Sequence, residues 1–415
     1  MSPAPVTSVR IDSLDTARAF ALVLGVVFHA SLSFCPVFLG WAVMDVSTSG
    51  VIPPFLTVAH GFRLELFFLL AGYFGRLAVA RQGWRLFLTT RALRLGVPFI
   101  LGWFLVSPLL VSGWVMGAAS LRGEVDIRAG LIAGLTVFDG FPGTAFTRTH
   151  LWFLYYLLLL TAAAFVLAML SRAHRVGLQA AFVRVDRGLG WLCRSPLAAL
   201  VLAAPTAVVL RLMQHGAVDT PDRSLIPHLP VLALYGGFFA LGWWFQRRPG
   251  VLRDFGRHSV ARGAVVTLAV SGTCWLEPAL RDAGNPHHEA LRWSFAFCYG
   301  AMMWSLVQLI LGLTSAWAKR PRRWVRYVSD SAYWMYLSHL PLVVWLQVAV
   351  AEVPVSWAAK LGGVTLVTVF LCLVSYDLLV RPSWVGHILS GKRLPSVLLS
   401  YLSRALPAAK LAPLP

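Results

Sequence analysis

The stretch "LDTARAFALVLGVVFHA" (residues 14–30) decides the fold class and raises the chemical question. It is apolar enough to enter a bilayer, yet it carries Asp15, Arg18 and His29. An Arg or Asp at the centre of a membrane helix costs roughly 2.5–3.5 kcal/mol on insertion scales, so ionisable groups kept there usually serve a site.

The rest of the chain agrees with a membrane setting. Its 415 residues are 58% hydrophobic and 13% charged, with mean hydropathy +0.71. Soluble domains carry about 25% charged residues. The +19 formal charge does not point to nucleic acid, because the basic residues alternate with apolar spans instead of forming one patch. Five cysteines (Cys35, Cys193, Cys274, Cys298, Cys372) are scattered without a CxxC pair, so neither a disulfide framework nor a metal site is signalled. Residues 14–38 read as a retained first span, since no basic segment leads directly into a short core with a small-residue cleavage site.

A span needs about 20 mostly apolar residues. That criterion predicts an all-α, polytopic protein with about ten transmembrane helices. They fall near 14–38, 55–79, 96–118, 150–170, 196–213, 229–246, 263–281, 291–316, 329–351 and 357–380. An even number places both termini on one side. The segments on that side hold 27 Lys and Arg against 7 in the opposite loops, with Arg63 and Arg211 inside spans. By the positive-inside rule both termini are expected in the cytoplasm. One transmembrane domain is expected over 1–390, followed by a cytoplasmic tail at 391–415. The longest external segment, 119–149, contains Gly140, Pro142 and Gly143 and reads either as a lid over the site or as a plain connector.

Within the opening stretch, Arg18 and His29 are separated by about 16.5 Å along a helix and lie within about 20° of one face. Asp15 shares that face at i−3 from Arg18, where the two charges partly neutralise each other. Leu22 and Gly25 complete the stripe, and Gly25 leaves room beside the helix. The alternative is a topology-setting arginine and an ordinary interior histidine. The shared face favours a site.

The second span contains "HGFRLELFFLLAGYFGRL" (60–77). Arg63 and Glu65 fall near the depth of His29, and their i, i+2 spacing points them to different sides. Arg63 is expected to look into a polar cavity; the alternative is that both snorkel to the interface. Next comes "RQGWRLFLTTRALRLGVP" (81–98), with Arg91 and Arg94 on one face just before Gly96 and Pro98. Paired arginines suit phosphates through bidentate contacts, although positive-inside charge alone would also explain them. "RTHLWFLYYL" (148–157) supplies His150 and Trp152 at an external interface, "SDSAYWMYLSHLPLV" (329–343) supplies His339, and Asp377 sits near the inner end of the tenth span. No G-x-S-x-G, P-loop, H-E-x-x-H or H-x4-D pattern is present, so nothing indicates a serine hydrolase, an ATPase or a metalloenzyme.

These landmarks, in this order, resemble the membrane-bound acyltransferase-3 superfamily. Arg18 and His29 meet its R-x10-H signature, "FFLLAGYF" (67–74) its Phe-Phe-x-x-x-Gly-Tyr segment, and Arg91 with Arg94 its R-x-x-R element. "HLWFL" (150–154), "SAYWMYLSHLPL" (331–342) and "SGK" (390–392) come after them. Ala71 stands where the segment is usually written with Ser, which argues against a hydroxyl role there. The resemblance implies an O-acyltransferase of a bacterial cytoplasmic (inner) membrane. It would use acyl-CoA, succinyl or acetyl, as cosubstrate, with no permanently bound cofactor and no metal. Its acceptor would be a hydroxyl of an extracytoplasmic glycan, a glucan foremost. His29, Arg18 and Arg63 would do the chemistry, and Arg91, Arg94, Gly25 and Tyr73 would bind the donor. Asp15, Glu65, His150, Trp152 and His339 would support them or meet the acceptor. The competing expectation is a transporter or flippase of an anionic or acylated substrate, although no duplicated halves are visible in the sequence.

Overall fold

The structure is a computed structural model that describes residues 12–122, 125–139, 149–173, 175–214, 216–221, 224–282, 284–318 and 322–405. Among these residues every regular element is helical. The first five helices are α1 (Asp12–Ser31), α2 (Ile52–Arg91), α3 (Val97–Ala118), α4 (Ile127–Leu135) and α5 (Trp152–Ala173). Then come α6 (Arg175–Arg194), α7 (Ala198–Arg211), α8 (Leu229–Arg247), α9 (Pro249–Phe255) and α10 (Val260–Leu276). The chain closes with α11 (His288–Trp317), α12 (Arg323–Val350), α13 (Trp357–Ser375), α14 (Trp384–Ser390) and α15 (Val397–Ala405).

Eight helical runs are long and apolar enough to cross a membrane, and α6–α7, bent by 118° at residues 195–197, supplies a ninth candidate. The count of about ten is recovered from one run. Ile52–Ala118 spans 67 residues, about 100 Å at 1.5 Å per residue, against a hydrocarbon core of about 30 Å. It doubles back: Ile52 comes directly after the loop that leaves α1, and the Met44 N–H of that same loop reaches Ser120 Oγ at 3.2 Å. The turn is made at Gly83, with φ +76°, and in a π-helical turn over Ala92–Gly96 before Pro98 opens α3. Residues 81–98, expected to be a connecting segment, are therefore largely helical.

Helix starts obey the usual capping chemistry. Asp12 and Asp15 occupy the first turn of α1, where carboxylates oppose the positive end of the helix dipole. Asp126, Ser259 and Ser356 each accept a backbone N–H as N-caps of α4, α10 and α13. The first span ends four residues short of expectation, at Phe34, because Cys35 turns extended just ahead of Pro36.

Small residues let the bundle close. A Cβ on Gly242 of α8 would stand 1.8 Å from the Leu69 carbonyl oxygen of α2, and one on Gly72 would stand 2.0 Å from that of Phe239. α1 sits against α2, α11, α12 and α13, so the stripe from Arg18 to His29 lies inside the bundle. In the 119–149 segment, Gly130 and Gly134 seat α4 on Met116, Ser112 and Pro108 of α3. That half is a docked helix; Gly140, Pro142 and Gly143 lie outside the described residues. The starts of α1 and α12, the α2–α3 junction and the segment after α13 share one end of the bundle, tied by Arg18–Ser329 and Asp377–Ser396 contacts. The loop at 35–51 closes the other, where a buried Lys360–Asp45 ion pair of 2.7 Å holds it to α13.

Candidate active site

One cavity of about 2030 Å³ runs through the bundle. Arg91 and Arg94 line its basic end, Arg18 and Asp15 come next, and His29 lies toward the far end beside Trp41 and Trp114. The sequence-derived stripe on α1 is thus a cavity wall. Arg18 donates to Asp15 Oδ1 at 2.9 Å and to Ser329 Oγ at 2.7 Å, which fixes its head toward the basic end, three helical turns from His29. The two are joined by the cavity and do not touch one reacting centre together.

His29 is flanked by Trp41, stacked at 5.7 Å between ring centroids, and by His339 at 5.4 Å. Gln347 fixes this arrangement. Its amide donates to the His29 and Ala30 carbonyls at 3.0 Å each, while its oxygen accepts from Trp41 Nε1 at 2.9 Å. Arg63, 5% exposed, places its guanidinium 4.3 Å from the Phe28 ring centroid. It crosses α1 where a Gly25 Cβ would be, 3.7 Å from Arg63 Cδ and Nη1. Gly25 therefore seats Arg63 one turn before His29. Among the described residues Arg63 Nη1 and His29 Nδ1 are buried without a hydrogen-bond partner.

The histidines behind His29 have defined tautomers. His339 Nδ1 lies 2.9 Å from the carbonyls of Met335 and Tyr336, so it carries the proton and a neutral His339 offers Nε2 as acceptor. His150 Nε2 donates to the Leu337 carbonyl at 3.3 Å. That carbonyl is open because Pro341, four residues on, has no N–H to give it. The His150 and His339 rings lie 5.6 Å apart. Trp152, stacked on Tyr235 at 5.7 Å, also lines the cavity. Among the described residues no group of three His, Cys, Asp or Glu side chains is placed to hold a metal ion.

Two expected site residues are not in the cavity wall. Glu65 is fully buried, and neither of its oxygens has a hydrogen-bond partner among the described residues. Its i, i+2 offset from Arg63 turns it into the α2 packing face. Tyr73 is corrected likewise: it is buried, packs edge-on to Phe74 and is not among the residues that line the cavity. Conversely, His60, Ser329, Tyr333 and Trp41 line the cavity although none is expected from the sequence as a site residue; the first three lie within the stretches 60–77 and 329–343, and Trp41 lies outside every such stretch. His60 is legible in hindsight of its position alone, one turn before Arg63 on the same helix.

An all-helical, multi-pass bundle with an imidazole held inside a two-ended cavity agrees with what comparison of the sequence establishes. Residues 11–377 match the model of the acyltransferase-3 family, described as an acyltransferase domain, and the chain belongs to that family of membrane acyltransferases. Over 400 residues it is 23% identical to glucans biosynthesis protein C of Escherichia coli (strain K12), covering 94% of this chain and 96% of the relative. The protein of the same name from Escherichia coli (strain SMS-3-5 / SECEC) is equally similar, 23% identical with the same coverage. No solved structure matches the chain.

Proposed function

We propose that this acyltransferase moves a succinyl or acetyl group from acyl-CoA, bound at the basic end of the cavity, to a hydroxyl of an extracytoplasmic glucan entering at the Trp41 end. The supporting observation is the single cavity that connects Arg91 and Arg94 to His29. The name of the similar Escherichia coli proteins supports the glucan acceptor, and the 27-to-7 charge bias supports a cytosolic donor end in an inner membrane.

In this reading the nucleotide phosphates rest on Arg91 and Arg94, with Arg18 beside them, and the pantetheine arm covers the roughly 16.5 Å of α1 between Arg18 and His29. A neutral His29 takes the proton of the acceptor hydroxyl as its oxygen attacks the thioester carbonyl. The C–S bond then breaks, and the proton passes to the departing thiolate. Arg63, packed beside α1 one turn away and with an unengaged Nη1, stabilises the oxyanion of the tetrahedral intermediate. His339 and Gln347 hold the imidazole in place.

Purified protein incubated with acetyl- or succinyl-CoA and a glucan should release free thiol and add the matching acyl mass to the glucan. Binding without thiol release would instead support a transporter. Substituting Arg91→Ala with Arg94→Ala should raise KM for acyl-CoA at least tenfold more than KM for the matching acyl-pantetheine, which lacks the nucleotide phosphates. Equal losses for both donors would reduce the pair to topology signals.

A further inference from the structure

We infer that residues 381–394, beyond the family match at 11–377, form part of the site for the phosphate-bearing end of the donor. This rests on the acyl-CoA reading and gives that site a second wall. A cytoplasmic tail is expected from residue 391, and its first residues are held by several hydrogen bonds. After α13 and a π-helical turn over Tyr376–Val380, the chain enters α14, and the Leu394 N–H returns to the Arg381 carbonyl at 2.9 Å. Asp377, fully buried, grips the start of α15, accepting from Ser396 Oγ at 2.5 Å and from the backbone N–H groups of Leu398 and Val397 at 2.9 and 3.1 Å.

The closure is shaped around an arginine. Gly391 ends α14 in the left-handed region, φ +75°, and a Cβ there would stand 2.0 Å from Arg94 Nη2. The backbone conformation favours glycine, and the absent Cβ leaves the space that the Arg94 guanidinium occupies. Arg381, Gly391, Lys392 and Leu394 thereby line the same cavity as Arg91 and Arg94. Asp15, Asp219 and Asp330 are also in the wall, and Asp15 is engaged by Arg18. Among the described residues no carboxylate lies within 4 Å of the charged groups of Arg91, Arg94, Arg381 or Lys392. Arg381 Nε is buried without a hydrogen-bond partner. Four cations from two separate segments face one space and suit a polyanion with several phosphates, as the nucleotide end of coenzyme A has.

The test measures binding without turnover, using adenosine 3′,5′-bisphosphate and the full-length protein in detergent by calorimetry. Wild type should bind saturably, Lys392→Ala and Arg381→Gln should each weaken Kd about tenfold, and Lys392→Arg should stay within about threefold of wild type. Lys392 is exposed, so its removal leaves the packing intact. Unchanged Kd in Lys392→Ala and Arg381→Gln, alongside loss of binding in Arg91→Ala, would overturn the second wall and leave the acyl-CoA reading standing. No binding by wild type would overturn both.

Discussion

His29→Ala is expected to lower acyl transfer by about 10²–10⁴-fold while leaving a folded, monodisperse protein. The size comes from what the cavity offers: His29 is the imidazole stacked on Trp41, facing the space that leads to Arg91 and Arg94. His339 and His150 line the same cavity but are held where they are, His339 by its Nδ1 contacts to Met335 and Tyr336 and His150 by its contact to Leu337. Neither reaches the position His29 vacates without breaking those bonds. His29 makes no side-chain hydrogen bond through Nδ1 among the described residues, so the fold loses only ring packing. Thiol release and product mass from the purified variant check this. More than about a tenth of wild-type activity would remove His29 from the role of general base.

Gly242→Ala should be the most damaging conservative change in the bundle. A single methyl must occupy a place 1.8 Å from the Leu69 carbonyl oxygen and 2.7 Å from its carbon. That obstacle is backbone and cannot rotate aside, so α8 must move off α2. Overpacking typically costs about 1–3 kcal/mol when side chains can adjust, and here they cannot. Gly237→Ala, on the same helix with nothing within 4 Å of its Cβ position, is the matched control. It should be neutral or slightly stabilising, since Gly in a helix interior costs roughly 0.5–1 kcal/mol relative to Ala. Thermal unfolding in detergent should show a clear loss for Gly242→Ala alone. Equal midpoints would mean the α2–α8 contact is looser than this geometry.

Legible in the sequence is whatever repeats with the helical period. The separation of Arg18 and His29 puts them on one face, and they line one cavity. The same arithmetic separates Arg63 from Glu65, and only Arg63 reaches the cavity. Tyr73 shows the limit: a motif names it, but it is buried outside the cavity wall. The partners of His29 have no local signal. Gln347 and Trp41 are 306 residues apart, and their meeting depends on α12 lying beside α1. The Pro341–Leu337–His150 linkage is equally non-local, although the proline itself announces an open carbonyl four residues back. Length and hydropathy divide Ile52–Ala118 into two spans at the arginine-rich residues 81–94, but they do not show that the chain stays helical through the turn made by Gly83 and a π turn.

Transfer through the protein, from a donor at the arginine-rich end to an acceptor at the Trp41 end, is the central claim. Proteoliposomes made with one orientation test it directly, with succinyl- or acetyl-CoA sealed on the side of Arg91 and Arg94 and glucan supplied only on the other. Acylated glucan should appear outside while free coenzyme A accumulates inside, and His29→Ala vesicles should produce neither. Acylation only when donor and glucan share a compartment would contradict it.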